Sequence, residues 1–218
     1  WETGLFDAEV TPVTVDGKTI GRDTIIRGDT TVEKMARLRP AFAKEGTLTA
    51  ANSSTLTDGA SATLIMSEDK AAELGFTPLA AFKSWAYCGV DPRKQLLKGP
   101  ALSMPLALDR AGMSLDQVDL IDMHEAFAAQ VLSIVSMLED PAFGTDELGR
   151  DGAVGKVDPA KLNVHGGSVA LGHPFAATGS RMVNTMAYEL HRSGKRTALL
   201  GICAAGGLGA AAVLERVD

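Results

Sequence analysis

The sequence predicts an α/β layered domain with helices on both faces of its sheet, and three observations carry that prediction. From residue 79 onward, strand-like and helix-like patterns alternate, the order that stacks helices on a sheet. Glycines and small residues from Gly166 to Ser180 make a loop that feeds a helix able to sit close to its neighbours. The chain then closes on two apolar β-like runs, Thr197 to Ile202 and Leu208 to Leu214, with Gly206 and Gly207 as the reversal point of an antiparallel hairpin.

Residues 1–29 are polar and turn-rich, with Asp16-Gly17 between Val-containing segments, and read as a hairpin or lid remnant without its own core. Thr30 or Thr31 caps a helix predicted to run to about Leu38, with Pro40 marking its stop. Leu48 to Ala51 and Ser61 to Met66 read as strands flanking a loop, and Glu68 to Leu74 as a helix ending at Gly75. Leu79 to Val90 is a long strand, Pro100 to Ala111 a helix stopped by Gly112, and Val118 to Met123 a strand leading into His124. Glu125 to Leu138 carries Phe127, Val131, Ile134, Val135 and Leu138 along one helical face. Residues 140–162 are acidic and turn-rich, as expected of a surface insertion.

A length of 218 residues is enough to bury a real core in one domain or two small ones. The net charge of −6 argues against nucleic acid as a partner. Two cysteines far apart in the chain make no disulfide framework, so a reducing compartment is expected. Trp1 is not a start residue, so a processed or partial chain is expected, and no signal peptide is visible. Thr197 to Leu214 is long and uncharged, but its central Gly-Gly favours a buried hairpin over a transmembrane segment.

Several short matches are rejected. Arg27-Gly28-Asp29 carries too little information to be an adhesion site. Gly17-Lys18-Thr19 has Pro12 where a phosphate loop needs glycine. His124-Glu125 lacks the second histidine of a zinc protease, because position 128 is Ala, and no metal is expected. Gly207 to Ala212 fits a relaxed dinucleotide fingerprint, but too few residues follow for the helix and second strand it needs.

Three residues carry chemistry on residue type and position alone. His173 stands before Pro174 at a helix start, where unpaired N–H groups and the positive dipole end disfavour its protonation and leave a usable base. Cys203 lies at the mouth of the hairpin among glycines, where a thiol is expected to be partly exposed beside a basic group; the plain alternative is a small buried hydrophobe. His124 sits where a strand gives way to a helix, a common place for ligand and catalytic groups in α/β sheets, and its plain alternative is a structural histidine.

The motifs Gly166-Gly-Ser-Val-Ala-Leu-Gly-His-Pro-Phe-Ala-Ala-Thr-Gly179 and Cys203-Ala-Ala-Gly-Gly-Leu-Gly-Ala210 resemble the two C-terminal signatures of the thiolases. His124-Glu-Ala-Phe127 and Leu48 to Gly59 add two blocks in the right order, so the resemblance runs from about Leu38 to the end. His-Glu-Ala-Phe in place of Asn-Glu-Ala-Phe resembles the β-subunits of the trifunctional fatty-acid oxidation complex and their bacterial relatives. The implied fold is thiolase-like, with helices around a mixed five-stranded sheet. The implied organisation is a lid remnant over residues 1–46, the last elements of the N-terminal half over 47–78, and the C-terminal half over 79–218.

The resemblance implies thiolysis of a 3-ketoacyl-CoA by coenzyme A, in fatty-acid β-oxidation, or the reverse Claisen condensation. In the family one cysteine forms the acyl-enzyme, a histidine takes its proton, and a second cysteine shuttles a proton. Matched residue by residue, His173 is that base and Cys203 the acid/base cysteine. His124 serves the oxyanion hole, by direct contact or through a water, and the N–H of Ala205 is a further oxyanion donor provided its φ suits a side chain. Ser54 matches a serine on the coenzyme A tail and Phe127 a residue of the pantetheine channel; turn chemistry and core packing are their plain alternatives.

The family's nucleophile lies before the lid region and has no counterpart here, Cys88 falling on a predicted core strand, so the chain alone is expected to be inactive. The resemblance implies no cofactor beyond coenzyme A as substrate, and a homodimer or tetramer of the full-length protein with a hydratase/dehydrogenase α-subunit as a further partner. It implies a bacterial cytoplasm, or a mitochondrion in a eukaryote. A thiolase-like protein that binds acyl-CoA without thiolysis stays open, and a condensing enzyme using carrier-bound substrates is disfavoured by the Cys203 motif.

Overall fold

A computed structural model describes residues 1–218. Its centre is a sheet of four strands, β3 (Ala80–Gly89), β4 (Leu120–Met123), β5 (Thr197–Ala204) and β6 (Leu208–Arg216), in the spatial order β3-β6-β5-β4. Strands β5 and β6 form the predicted antiparallel hairpin, β3 pairs antiparallel with β6, and β4 pairs parallel with β5, so the sheet is mixed. The expected fifth strand is reduced to one parallel bridge, Ile121 with Leu162. Two backbone bonds complete that lane, Ile121 N–H to Lys161 O at 2.9 Å and Asn163 N–H to Ile121 O at 2.8 Å. A four-residue strand offers its outer neighbour no room for a longer ladder.

Alternation of side chains along the strands divides the core in two. Ile121, Met123, Leu199 and Val213 face α3 (Gly99–Ala111) and α4 (Ala128–Glu139), meeting Met104, Leu108, Ile134 and Leu138. Leu120, Ala198, Leu200 and Leu214 face α7 (Ala176–Ser193), meeting Met182, Met186 and Leu190. Helices therefore cover both faces, as the alternating pattern requires. Gly201 lets α3 approach β5 closely, because a Cβ there would lie 2.4 Å from the sulfur of Met104.

Before the sheet come β1 (Val13–Val15) and β2 (Lys18–Ile20), joined through Asp16 and Gly17 at φ of 50° and 75° as the Asp-Gly pair predicts. Helix α1 (Val32–Met35) is capped by Thr31 and stops short of Leu38. Helix α2 (Glu68–Leu74) runs between its Ser67 cap and left-handed Gly75. The expected strands over 48–51 and 61–66 do not form, because a strand is defined by its ladder and neither segment has one. Residues 61–63 are held instead by side chains of α7, with Thr63 Oγ1 donating to Asn184 Oδ1 at 2.8 Å and Asn184 Nδ2 to Ala62 O at 2.9 Å.

Residues 140–162 are not a plain surface insertion. They contain α5 (Pro141–Leu148), begun by Asp140, whose Oδ1 accepts from Ala142 N at 2.8 Å, and Phe143, Val154 and Val157 reach the core. An Asp cap followed by Pro in the first turn was the readable signal. A short helix, α6 (Ser168–Leu171), precedes α7. No helix is long and apolar enough to cross a membrane.

Candidate active site

Four pieces of chain converge at one end of the sheet: the C-terminal ends of β4 and β5, the loop leading into α7, and residues 52–57. Past the end of β4 the ladder continues for one bond, His124 N–H to Gly201 O at 2.8 Å, so His124 is anchored beside β5 two positions before Cys203. The start of α7 lies over the same end of β5, where Gly179 faces the side chain of Ile202. Residues 52–54 run against the His124 motif through Ser54 N–H to Ala126 O at 3.0 Å and Ala128 N–H to Asn52 O at 2.9 Å. One step further on, His173 N–H donates to Thr55 O at 2.8 Å.

This framework brings the two predicted histidines into contact. Their ring centroids are 4.2 Å apart at an interplanar angle of 45°. His124 is buried, with Nδ1 3.0 Å from Ser168 Oγ, and His173 is half-buried, with Nδ1 2.7 Å from Thr178 Oγ1. The turn that aims His173 is tight. Gly172 has φ of 94° and a Cβ there would lie 2.5 Å from Thr57, while Phe175 adopts φ of 42° with ψ of −100°, a sparsely populated conformation that costs a side-chain-bearing residue about 1–3 kcal/mol. The ring of Phe175 lies 4.8 Å from that of His173.

Both imidazoles are neutral at physiological pH. Burial, then the neighbouring His173 and Arg181, push His124 down to about 3. Burial, then Arg181, lower His173. The sequence expectation of a neutral His173 therefore stands, with desolvation as the first cause.

Cys203 departs from expectation. It lies on β5 opposite Gly209, is buried rather than partly exposed, and its thiol is pushed up to about 11 by desolvation. No hydrogen bond joins it to either imidazole. A thiol in that state stays protonated near neutral pH and is a poor nucleophile. Cys88 is no substitute: it donates to Gly99 O at 3.2 Å, and burial raises its pKa as well.

Ala205 occupies the exposed turn between β5 and β6. Its φ is not positive, so its side chain is accommodated without strain, and its N–H is bonded to no group of the chain. Ser54 is half-buried with an uncommitted hydroxyl. Phe127 caps α4 and packs edge-on against Phe42 at 5.7 Å and 84°. His165 pairs with Glu189 at 2.7 Å.

Sequence reasoning missed the residues that hold the site together. Asn163, left-handed at φ of 46°, makes both bonds a strand would make to Met123: its Oδ1 accepts from Met123 N at 2.7 Å and its Nδ2 donates to Met123 O at 2.9 Å. The same Nδ2 donates to Glu125 Oε1 at 2.9 Å, and Glu125 Oε2 accepts from Val169 N at 3.1 Å. Asp122, on the same strand face as His124, is fully enclosed with Oδ2 unpartnered, and burial raises it to about 6. Glu125, Ser168 and Thr178 lay within motifs already in view, but no role was read for them; the partners of Asn163 and Ser168 are 40 and 44 residues away, whereas Thr178 meets His173 only five residues before it.

Comparison with known proteins identifies the family and the fold. Residues 76–216 match the family profile of the thiolase C-terminal domain and residues 1–69 that of the thiolase N-terminal domain. The chain is 50% identical over 218 residues to a 3-ketoacyl-CoA thiolase of Alteromonas mediterranea and 52% identical to one of Escherichia fergusonii, covering 99% of this chain and 50% of each relative. It thus spans about half the length of the curated relatives it matches. Among solved structures it is similar to human mitochondrial 3-ketoacyl-CoA thiolase, with a TM-score of 0.83 at 33% identity over 100% of this chain and 51% of that one. It is also similar to Bacillus anthracis acetyl-CoA acetyltransferase, at 0.82 and 36% over 99% of this chain and 51% of that one.

Proposed function

Because the chain belongs to the thiolase family, we propose that it supplies the acid/base and oxyanion-binding part of a 3-ketoacyl-CoA thiolase, an acyltransferase of fatty-acid β-oxidation that also runs the reverse Claisen condensation. The observation that carries this reading is the contact of two neutral histidines, His124 and His173, at the end of the sheet that also holds Cys203. The organisation goes with it: a lid segment over residues 1–46, the end of the N-terminal half over 47–78, and the C-terminal half over 79–218.

In this mechanism a cysteine from outside these residues passes its proton to His173, and its sulfur attacks the C3 carbonyl of the 3-ketoacyl-CoA. The oxygen gains negative charge and is met by N–H donors from His124 and Ala205, which are worth most in a site that excludes water. The C2–C3 bond then breaks, its electron pair stays on C2 of the departing acetyl-CoA, and Cys203 delivers the proton that C2 needs. A thiol near 11 starts in the protonated form this step requires. The Cys203 thiolate next takes the proton of the incoming coenzyme A, whose sulfur attacks the acyl-enzyme and releases the shortened acyl-CoA. Ser54 and Phe127 bind the coenzyme A tail and its pantetheine arm.

Coenzyme A and acyl-CoA are substrates, with no further cofactor. The full-length protein works as a homodimer or tetramer, with a hydratase/dehydrogenase α-subunit as a further partner. The bacterial relatives support a cytoplasmic location, and a eukaryotic version would be mitochondrial.

Thiolysis of a 3-ketoacyl-CoA, followed by loss of its absorbance, tests the reading on the full-length protein and on residues 1–218 alone. The full-length protein turns over and forms a labelled acyl-enzyme with acetyl-CoA, while the isolated chain does neither. Normal turnover by the isolated chain would refute the division of labour. Binding of acyl-CoA by the full-length protein without any acyl-enzyme would replace the enzyme with a non-catalytic acyl-CoA-binding relative.

A further inference from the structure

We propose that Ser168 is a positioning residue that selects the tautomer of His124, donating its hydroxyl proton to Nδ1 so that Nε2 keeps its hydrogen and is left free to donate. The inference rests on the reading of His124 as a group that polarises a carbonyl, and it specifies which nitrogen does so.

The hydrogen-bonding capacity of the buried pair decides the tautomer. Ser168 is fully buried, and Nδ1 of His124, 3.0 Å away, is the only partner of its hydroxyl. A neutral imidazole carries one N–H, and burial together with the two neighbouring basic groups keeps His124 neutral. If that hydrogen sat on Nδ1, the Ser168 oxygen would accept it and the serine's own O–H would have nowhere to point. Buried hydroxyls are rarely left so. If the hydrogen sits on Nε2, Ser168 donates to Nδ1, and the one donor left without a partner in the chain is Nε2–H, which is not among the fully buried unpartnered atoms and stays open to the site.

Ser168 has no second outlet. It is the first residue of α6, so no preceding helical turn offers it a carbonyl.

The serine cannot drift from this arrangement. Val169 N–H is tied to Glu125 Oε2 at 3.1 Å, and a Cβ at Gly167 would lie 2.7 Å from the Glu125 carboxylate, so the start of α6 is pressed onto the His124 motif from the residues on either side of Ser168. Asn163 closes the ring, holding Met123 on one side of His124 and Glu125 on the other.

The test combines nitrogen NMR of [¹⁵N]histidine-labelled full-length protein with thiolysis kinetics of wild type and Ser168→Ala. In wild type at pH 7 the His124 shifts should report a protonated Nε2 and an unprotonated, hydrogen-bonded Nδ1. In S168A the resonances should move toward a mixture of tautomers. Its kcat should fall about tenfold with KM changed less than about twofold, a smaller loss than the 10²–10³ expected on deleting an oxyanion donor outright. A protonated Nδ1 in wild type overturns the proposal whatever the variant does, and so does an S168A protein that keeps both the wild-type tautomer and kcat. The wild-type spectrum judges the proposal even if S168A fails to fold. If the tautomer is as stated but the full-length protein has no thiolysis activity, the enzyme reading falls and the role of Ser168 toward His124 stands.

Discussion

Replacing Asn163 with Ala probes the brace that holds the end of β4. Met123 is fully buried, and its N–H and C=O both bond to the Asn163 side chain, at 2.7 and 2.9 Å. Truncation leaves two backbone groups unpaired at about 1 kcal/mol each, the low end of the range because Asn163 itself is only half-buried and water can follow. Alanine must also hold φ of 46°, which asparagine tolerates better, adding about 1 kcal/mol. The sum is roughly 3 kcal/mol, a large share of a typical folding free energy. Urea denaturation of the full-length protein should show a lower midpoint at unchanged slope.

Asn163→Asp sharpens the test. It keeps the acceptor for Met123 N–H but loses the donor to Met123 O, and it sets a carboxylate against Glu125, whose Oε1 is 2.9 Å from Asn163 Nδ2. Its deficit relative to wild type should shrink as pH falls through the carboxylate range, because the introduced carboxyl, once protonated, donates again. A loss below about 1 kcal/mol in N163A, with no pH dependence in N163D, would refute the brace.

Three further outcomes follow. Asp122 has its folded pKa raised from 3.8 to about 6, so the folded state binds the extra proton between those values and stability falls as pH rises through that window. At 1.36 kcal/mol per unit the window is worth roughly 3 kcal/mol, and Asp122→Asn should remove that slope from the stability profile measured between pH 4 and 7; an unchanged slope would show that the carboxyl is ionised in the fold. Gly201→Ala would set a methyl 2.4 Å from the Met104 sulfur, and calorimetry should show a loss of about 1–3 kcal/mol from the overpacked junction of α3 and β5. Cys203→Ser keeps the side chain's shape but not its acidity, so full-length thiolysis should drop by about 10² or more while the melting temperature holds, and near-normal kcat would remove Cys203 from proton transfer.

What could be read from the chain alone was whatever is encoded locally. The Ser67 cap and Gly75 stop delimit α2, Asp16-Gly17 makes its hairpin, and Gly206-Gly207 turns β5 into β6, because each needs only neighbours in sequence. The motifs around His124, His173 and Cys203 marked the thiolase family for the same reason. Tertiary structure decided everything that depends on a remote partner. The apolar segment 61–66 is no strand, because pairing and not propensity makes one. Cys203 is a high-pKa acid and not a half-exposed thiol, because burial is a property of the packed site. Ser168 meets the ring of His124 only because folding lays the start of α6 against the end of β4, a partner 44 residues away that no local pattern names.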